Sequence, residues 1–200
     1  WNSGLFPILF LISALASGGA LLMLVAGIFQ GGYHRNSETI VSLGRLVLGL
    51  LILDVIFQFS EYLVSGYGNE PGHVEGLKMI FTGPYWWVFW VWQLVLGTAI
   101  PIAILATKMA RSARWASAAG GLIALGFIGV RLNIVIPALA TEEIQGLTDA
   151  IDNSRISTQY FPSLMEWFVT LGIVGLGLLL FGLGEYLLPI ESEEVSPVPA

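Results

Sequence analysis

The sequence predicts an all-α, integral-membrane helical bundle of about five transmembrane helices, and three observations predict it. Hydrophobic residues make up 56% of the chain and charged ones only 11%, whereas soluble domains are about one-quarter charged. Mean hydropathy is +0.80. The apolar residues also collect in five long runs, and about 20 residues rising about 1.5 Å each suffice to cross a hydrocarbon layer about 30 Å thick.

Helix A is expected from about Gly4 to Gln30; it is too long and glycine-interrupted for a signal peptide with a basic leader. Helix B, from about Thr39 to Val64, is the span that carries charges deep inside. Helix C, from about Tyr85 to Thr107, opens on Tyr85, Trp86, Trp87, Trp90 and Trp92, read as an interfacial anchoring belt. Helix D covers about Trp115 to Pro137 and helix E about Leu164 to Leu188. Together these give a transmembrane bundle over residues 1–189, followed by an acidic, Pro-containing tail over 190–200 that is expected to be disordered. Gly27 and Gly31 stand in GxxxG spacing, a sign of closely packed helices. The chain starts at Trp1 rather than Met and is expected to be part of something larger.

Lys108, Arg111 and Arg114 fall between helices C and D, and His34 and Arg35 between A and B. Basic loops stay cytoplasmic, so this side is expected inside. The longer loops, with Glu70, Glu75, Glu142, Glu143, Asp149 and Asp152, are then expected outside. Eight Lys and Arg against fourteen Asp and Glu leave a net charge of −6, which argues against a nucleic-acid partner. With no cysteine, the chain offers no thiolates for an iron–sulfur cluster, so any cluster belongs to a partner. Its two histidines, His34 and His73, are expected on opposite sides of the membrane, which argues against an in-chain haem held by two histidines. His73 reads as a solvated loop residue, and metal-ligand spacing is absent elsewhere.

Ionisable groups inside a bilayer cost at least about 2.5–3.5 kcal/mol near its centre, so they mark pathways or pair with one another. Asp54, Gln58 and Glu61 recur at i, i+4 and i+7 and form a polar stripe on one face of helix B. Glu61, Arg131 and Glu166 all fall near the outer ends of their helices, where an arginine between two carboxylates forms a desolvated ion cluster. That cluster either locks three helices together or continues a proton path. Asp54 has no obvious partner, which makes it the candidate for exchanging protons near neutral pH. Glu185 has Arg45 or Lys108 as possible partners, and Asn133 is expected to face away from Arg131 toward a neighbouring helix.

The opening segment Trp1–Ala20, the segment Gly129-Val-Arg-Leu-Asn-Ile-Val135, and Tyr160-Phe-Pro-Ser-Leu-Met-Glu-Trp167 running into a Gly-rich helix that ends at Pro189 resemble the polysulfide reductase membrane subunit (NrfD-like) family. The match extends along nearly the whole chain but concerns only the later half of the family's fold. The resemblance implies an integral-membrane, quinone-interacting subunit of a prokaryotic respiratory oxidoreductase in the plasma (inner) membrane. Such a subunit has no haem or cluster of its own and exchanges electrons between the quinone pool and a partner. It also implies a docked ferredoxin-like iron–sulfur subunit, often beside a molybdopterin enzyme or a multihaem cytochrome, and a missing first half that holds much of the quinone pocket. Arg131 and Glu166 are carried by the matching segments; Asp54 and Glu61 come from the charge argument. The rival reading is a non-redox membrane anchor, or a secondary transporter using the same acids. An anchor has no use for Asp54, and a transporter is expected to show an inverted repeat.

Overall fold

The computed structural model describes residues 4–29, 32–68, 71–140 and 163–187, and every regular element among them is helical. The chain divides into two units, Trp1–Thr158 and Gln159–Ala200. In the first, α1 is Phe6–Ile28, α2 the single turn Gly32–Arg35, α3 Ser37–Tyr67 and α4 Pro71–Thr82. Next come α5, Val88–Ala106, and α6, Ala113–Ala140. The second unit contributes α7, Leu164–Leu187. Among the described residues five helices (α1, α3, α5, α6 and α7) are long and apolar enough to cross a membrane, which is the predicted number and order. The 190–200 tail and the loop acids Glu70, Glu142, Glu143, Asp149 and Asp152 lie outside the described residues.

The core is a seam of small and aliphatic residues at heptad-like spacing. On α1 it is Leu9, Ser13, Ala16, Ala20, Met23 and Gly27; on α3 it is Ile40, Gly44, Val47, Leu51 and Asp54. Ala116, Ala119, Ile123, Phe127 and Val130 of α6 complete it. In lipid there is little hydrophobic gain from bringing helices together, so close van der Waals approach of small residues does much of the work. A Cβ on Gly19 would lie 2.8 Å from Val47 Cγ2 and one on Gly120 2.6 Å from the Ala20 carbonyl oxygen, so the helices pack nearly backbone to backbone. Gly27, read from sequence as a packing glycine, sits directly against Ser117 and Tyr33.

Two connections differ from the sequence reading. The B–C connection, expected as a loop, contains the twelve-residue helix α4, with Pro71 at its first position, where a missing N–H costs nothing. Between α1 and α2 the chain turns at Gly32, whose φ of +63° is open to glycine without penalty. Asn36 then donates its side-chain amide to the Ala26 carbonyl oxygen at 3.0 Å, satisfying an end of α1.

Helix α5 is wound as π-helix from Val88 to Ala99 and as α-helix from Ile100 to Ala106. The change falls immediately before Pro101, whose ring would clash with the Gly97 carbonyl in a regular α-helix. The aromatic residues around its start do more than the expected belt. Phe81, Phe89, Trp90 and Tyr62 interlock, mostly edge to face, with Phe81–Phe89 centroids 4.8 Å apart and the Phe81–Trp90 pair tilted, and tie α3, α4 and α5 together. Trp92 crosses to α6 and donates to the Leu125 carbonyl at 2.8 Å.

Candidate functional site

The seam of α3 changes character halfway along. Ile40, Gly44, Val47 and Leu51 continue at the same spacing into Asp54, Gln58 and Glu61, so the stripe expected from sequence is the polar half of the core seam. Asp54 is 2% exposed. Its Oδ2 accepts a hydrogen bond from Gln58 Nε2 at 2.5 Å, and Gln58 Oε1 accepts from Gln93 Nε2 of α5 at 2.6 Å. Gln93 Oε1 in turn accepts from Asn133 Nδ2 of α6 at 2.6 Å. Three helices are thereby joined by one chain of side-chain amides ending on a buried carboxylate. Every donor in the chain points toward Asp54, so the amide dipoles add. The Tyr62 phenol is within hydrogen-bonding reach of Gln93.

Gln93 is the residue that sequence reading missed, and it is 4% exposed. Gln93 lies in the π-wound stretch, an arrangement often associated with functional positions. Asn133 does meet a neighbouring helix, and the partner it finds there is Gln93.

The expected ion cluster is less simple. Arg131 places its guanidinium 4.4 Å from the centre of the Phe10 ring, a cation–π contact with α1, and stands near enough for its charge to act on Asp54. Glu61 Oε2 is buried and has no hydrogen-bond partner among the described residues. The structure thus turns Arg131 to Phe10 of α1, and no hydrogen bond joins it to that buried oxygen of Glu61.

Glu166 belongs to the second unit and has a local task there. Its carboxylate accepts from the Ser163 backbone N–H at 2.6 Å, while Ser163 Oγ accepts from the Glu166 N–H at 3.4 Å. This reciprocal pair is a capping box at the start of α7. The Ser163-Leu-Met-Glu166 spacing was its readable signal in the sequence. Ser163→Ala is expected to cost about 1 kcal/mol of stability. Glu166→Gln, which can still cap, is expected to stay within about 0.5 kcal/mol of the parent in thermal unfolding in detergent. The side chains of Glu185 and His73 lie outside the described residues. Among the described residues no group of three or more His, Cys, Asp or Glu side chains is placed to hold a metal ion.

This polar chain inside a bundle of apolar helices sits in a stretch that matches a family model, that of Polysulphide reductase, NrfD, over residues 1–143. The chain belongs to the NrfD family. It is 33% identical to a selenate reductase subunit of Mesobacillus selenatarsenatis, over 97% of this chain and 45% of that one. It is also 30% identical to the Hdr-like menaquinol oxidoreductase integral membrane subunit of Archaeoglobus fulgidus, over 96% of this chain and 51% of the relative. The chain therefore spans about half the length of these curated relatives. No solved structure matches it. Family membership and the five apolar helices make it a multi-pass integral membrane protein.

Proposed function

We propose that this NrfD-family chain is part of a quinone-interacting membrane subunit of a prokaryotic respiratory oxidoreductase of the plasma membrane, and that Asp54 is its proton-handling group. Electrons pass between the quinone pool and a partner of the ferredoxin-like iron–sulfur type, with a molybdopterin enzyme or multihaem cytochrome beyond it. Reduction of a quinone consumes protons and oxidation of a quinol releases them, so such a subunit needs a buried group that can take up or give up a proton. One relative's name, menaquinol oxidoreductase, supports the choice of substrate. The observation that carries the reading is the burial of Asp54 at 2% exposure at the end of an amide chain drawn from three helices. A buried ionisable group inside the membrane is a functional candidate by default, and a passive anchor has no use for one. Glu61, on the same seam, is the candidate continuation toward the surface, with Arg131 setting the field around both. Glu166 is kept as a further candidate beside its capping role.

The test is Asp54→Asn in the assembled complex. Asparagine keeps the shape and a carbonyl acceptor for Gln58, so assembly and quinone content should be unchanged. Quinone-linked turnover should fall by at least about tenfold, the low side of what general acid–base groups contribute. Normal turnover with normal proton stoichiometry would leave the anchor reading in place.

A further inference from the structure

We infer that protons reach and leave Asp54 through its Oδ1 oxygen, by way of a buried water site shared with Ser13 of α1, and not along the amide chain. This rests on the proton-handling reading of Asp54 and names the route. The amide chain is a poor proton conductor. To pass a proton, each amide would have to gain one on its carbonyl oxygen and lose one from its nitrogen, ending as an imidic acid that must then revert. What the chain does well is hold Asp54 Oδ2 still, by the hydrogen bond from Gln58.

The other oxygen is different. Asp54 Oδ1 and Ser13 Oγ are both buried, and neither has a hydrogen-bond partner among the described residues. Ser13 is 0% exposed and Asp54 2%. The packing places them at one level. Gly19 faces Val47 and Gly44 faces Met23, so α1 and α3 run antiparallel in fixed register. Ser13 lies two helical turns from Ala20 on the seam of α1, and Asp54 two turns from Val47 on the seam of α3, in both cases about 10 Å toward the same end of the bundle. Buried polar groups left without protein partners are the setting in which an internal water is found, since it needs two or more such partners. Ser13 Oγ can donate or accept and Asp54 Oδ1 can accept, so the pair meets that need. The other polar groups of this seam are Gln58 and Glu61 of α3, with Gln93 of α5 and Asn133 of α6 joined to Gln58 through the amide chain, and Arg131 of α6 is the nearby cation whose charge acts on Asp54.

The step balances without any other reactant. A protonated water breaks one O–H bond and the proton forms a new O–H bond on Oδ1, giving neutral Asp54 and water; release is the reverse.

Infrared difference spectroscopy on the intact complex can follow hydrogen–deuterium exchange of the Asp54 carboxyl proton, the band being assigned by its loss in Asp54→Asn. Ser13→Val and Ser13→Thr have nearly the same shape and differ in the hydroxyl. The valine variant is expected to slow exchange by about tenfold, as for one lost hydrogen bond to the water, and threonine to keep it near the parent rate. Ser13→Ala serves if valine does not assemble. Ser17→Val, which removes a hydroxyl of α1 that bonds its own helix at the Ala14 carbonyl, is expected to leave the exchange rate unchanged. Parent-like exchange in both Ser13→Val and Ser13→Ala overturns the route, as does slowing by Ser17→Val equal to that by Ser13→Val. If Asp54→Asn abolishes turnover but the Ser13 variants exchange normally, the route alone falls. If Asp54→Asn turns over normally, the functional reading falls and this one with it.

Discussion

Gly126→Val is expected to leave little folded protein. Where α5 and α6 cross, a Cβ on Gly97 would come within 2.5 Å of Gly126 Cα, and one on Gly126 would collide with the Gly97 backbone. Overpacking a core ordinarily costs about 1–3 kcal/mol, because neighbouring side chains can rotate or shift away. Here the obstacle is backbone, which cannot rotate away, so at least about 3 kcal/mol is expected, a large part of the roughly 5–15 kcal/mol typical of native stability. Gly121→Ala is the matched control. Its Cβ would meet the flexible tip of Leu24 at 3.3 Å, and a change within about 1 kcal/mol is expected. Yield of monodisperse protein and thermal unfolding in detergent read both variants. A Gly126→Val chain that purifies and unfolds like the parent would mean that α5 and α6 do not meet at these glycines.

That crossing also explains how much of the site was legible beforehand. The stripe of Asp54, Gln58 and Glu61 could be read because α3 is a regular α-helix, in which i, i+4 and i+7 share a face. Gln93 could not. It stands among Trp92, Leu94 and Val95 in a stretch wound as π-helix, where α-helical periodicity does not say which face a residue takes. Its partners are 35 and 40 residues away. For Arg131 the sequence gives depth but not azimuth, and the Phe10 ring it meets could not be read from spacing along its own helix. For Glu166 the Ser163-Leu-Met-Glu166 pattern is local, and a carboxylate at a helix start serves as a cap without needing a distant cation. Trp92 likewise fits a belt by position, yet the carbonyl that receives its N–H belongs to α6.

The amide chain makes the second large prediction. Gln93→Leu is expected to cost about 2–4 kcal/mol, because it strands two polar groups at once, Gln58 Oε1 on a half-buried side chain and Asn133 Nδ2 on a buried one, each at about 1–3 kcal/mol. Measured hydrogen bonds inside membrane bundles average less than this, because the reference state also finds partners. The cost here comes from the stranded groups themselves, which sit on packed helix faces. Asn133→Leu alone strands only Gln93 Oε1 and should cost less. In the double variant Asn133 no longer needs an acceptor, so Gln93→Leu/Asn133→Leu should be no less stable than Gln93→Leu alone. That corresponds to a coupling of at least about 1 kcal/mol, within the range found for residues of one network. Two costs that simply add would show that Gln93 and Asn133 act independently. Coupling would show that the three helices hold Gln58, and through it Asp54 Oδ2, as one unit. A carboxylate held in that way keeps one oxygen fixed while the other stays open to a proton, which a group lying on flexible side chains could not do.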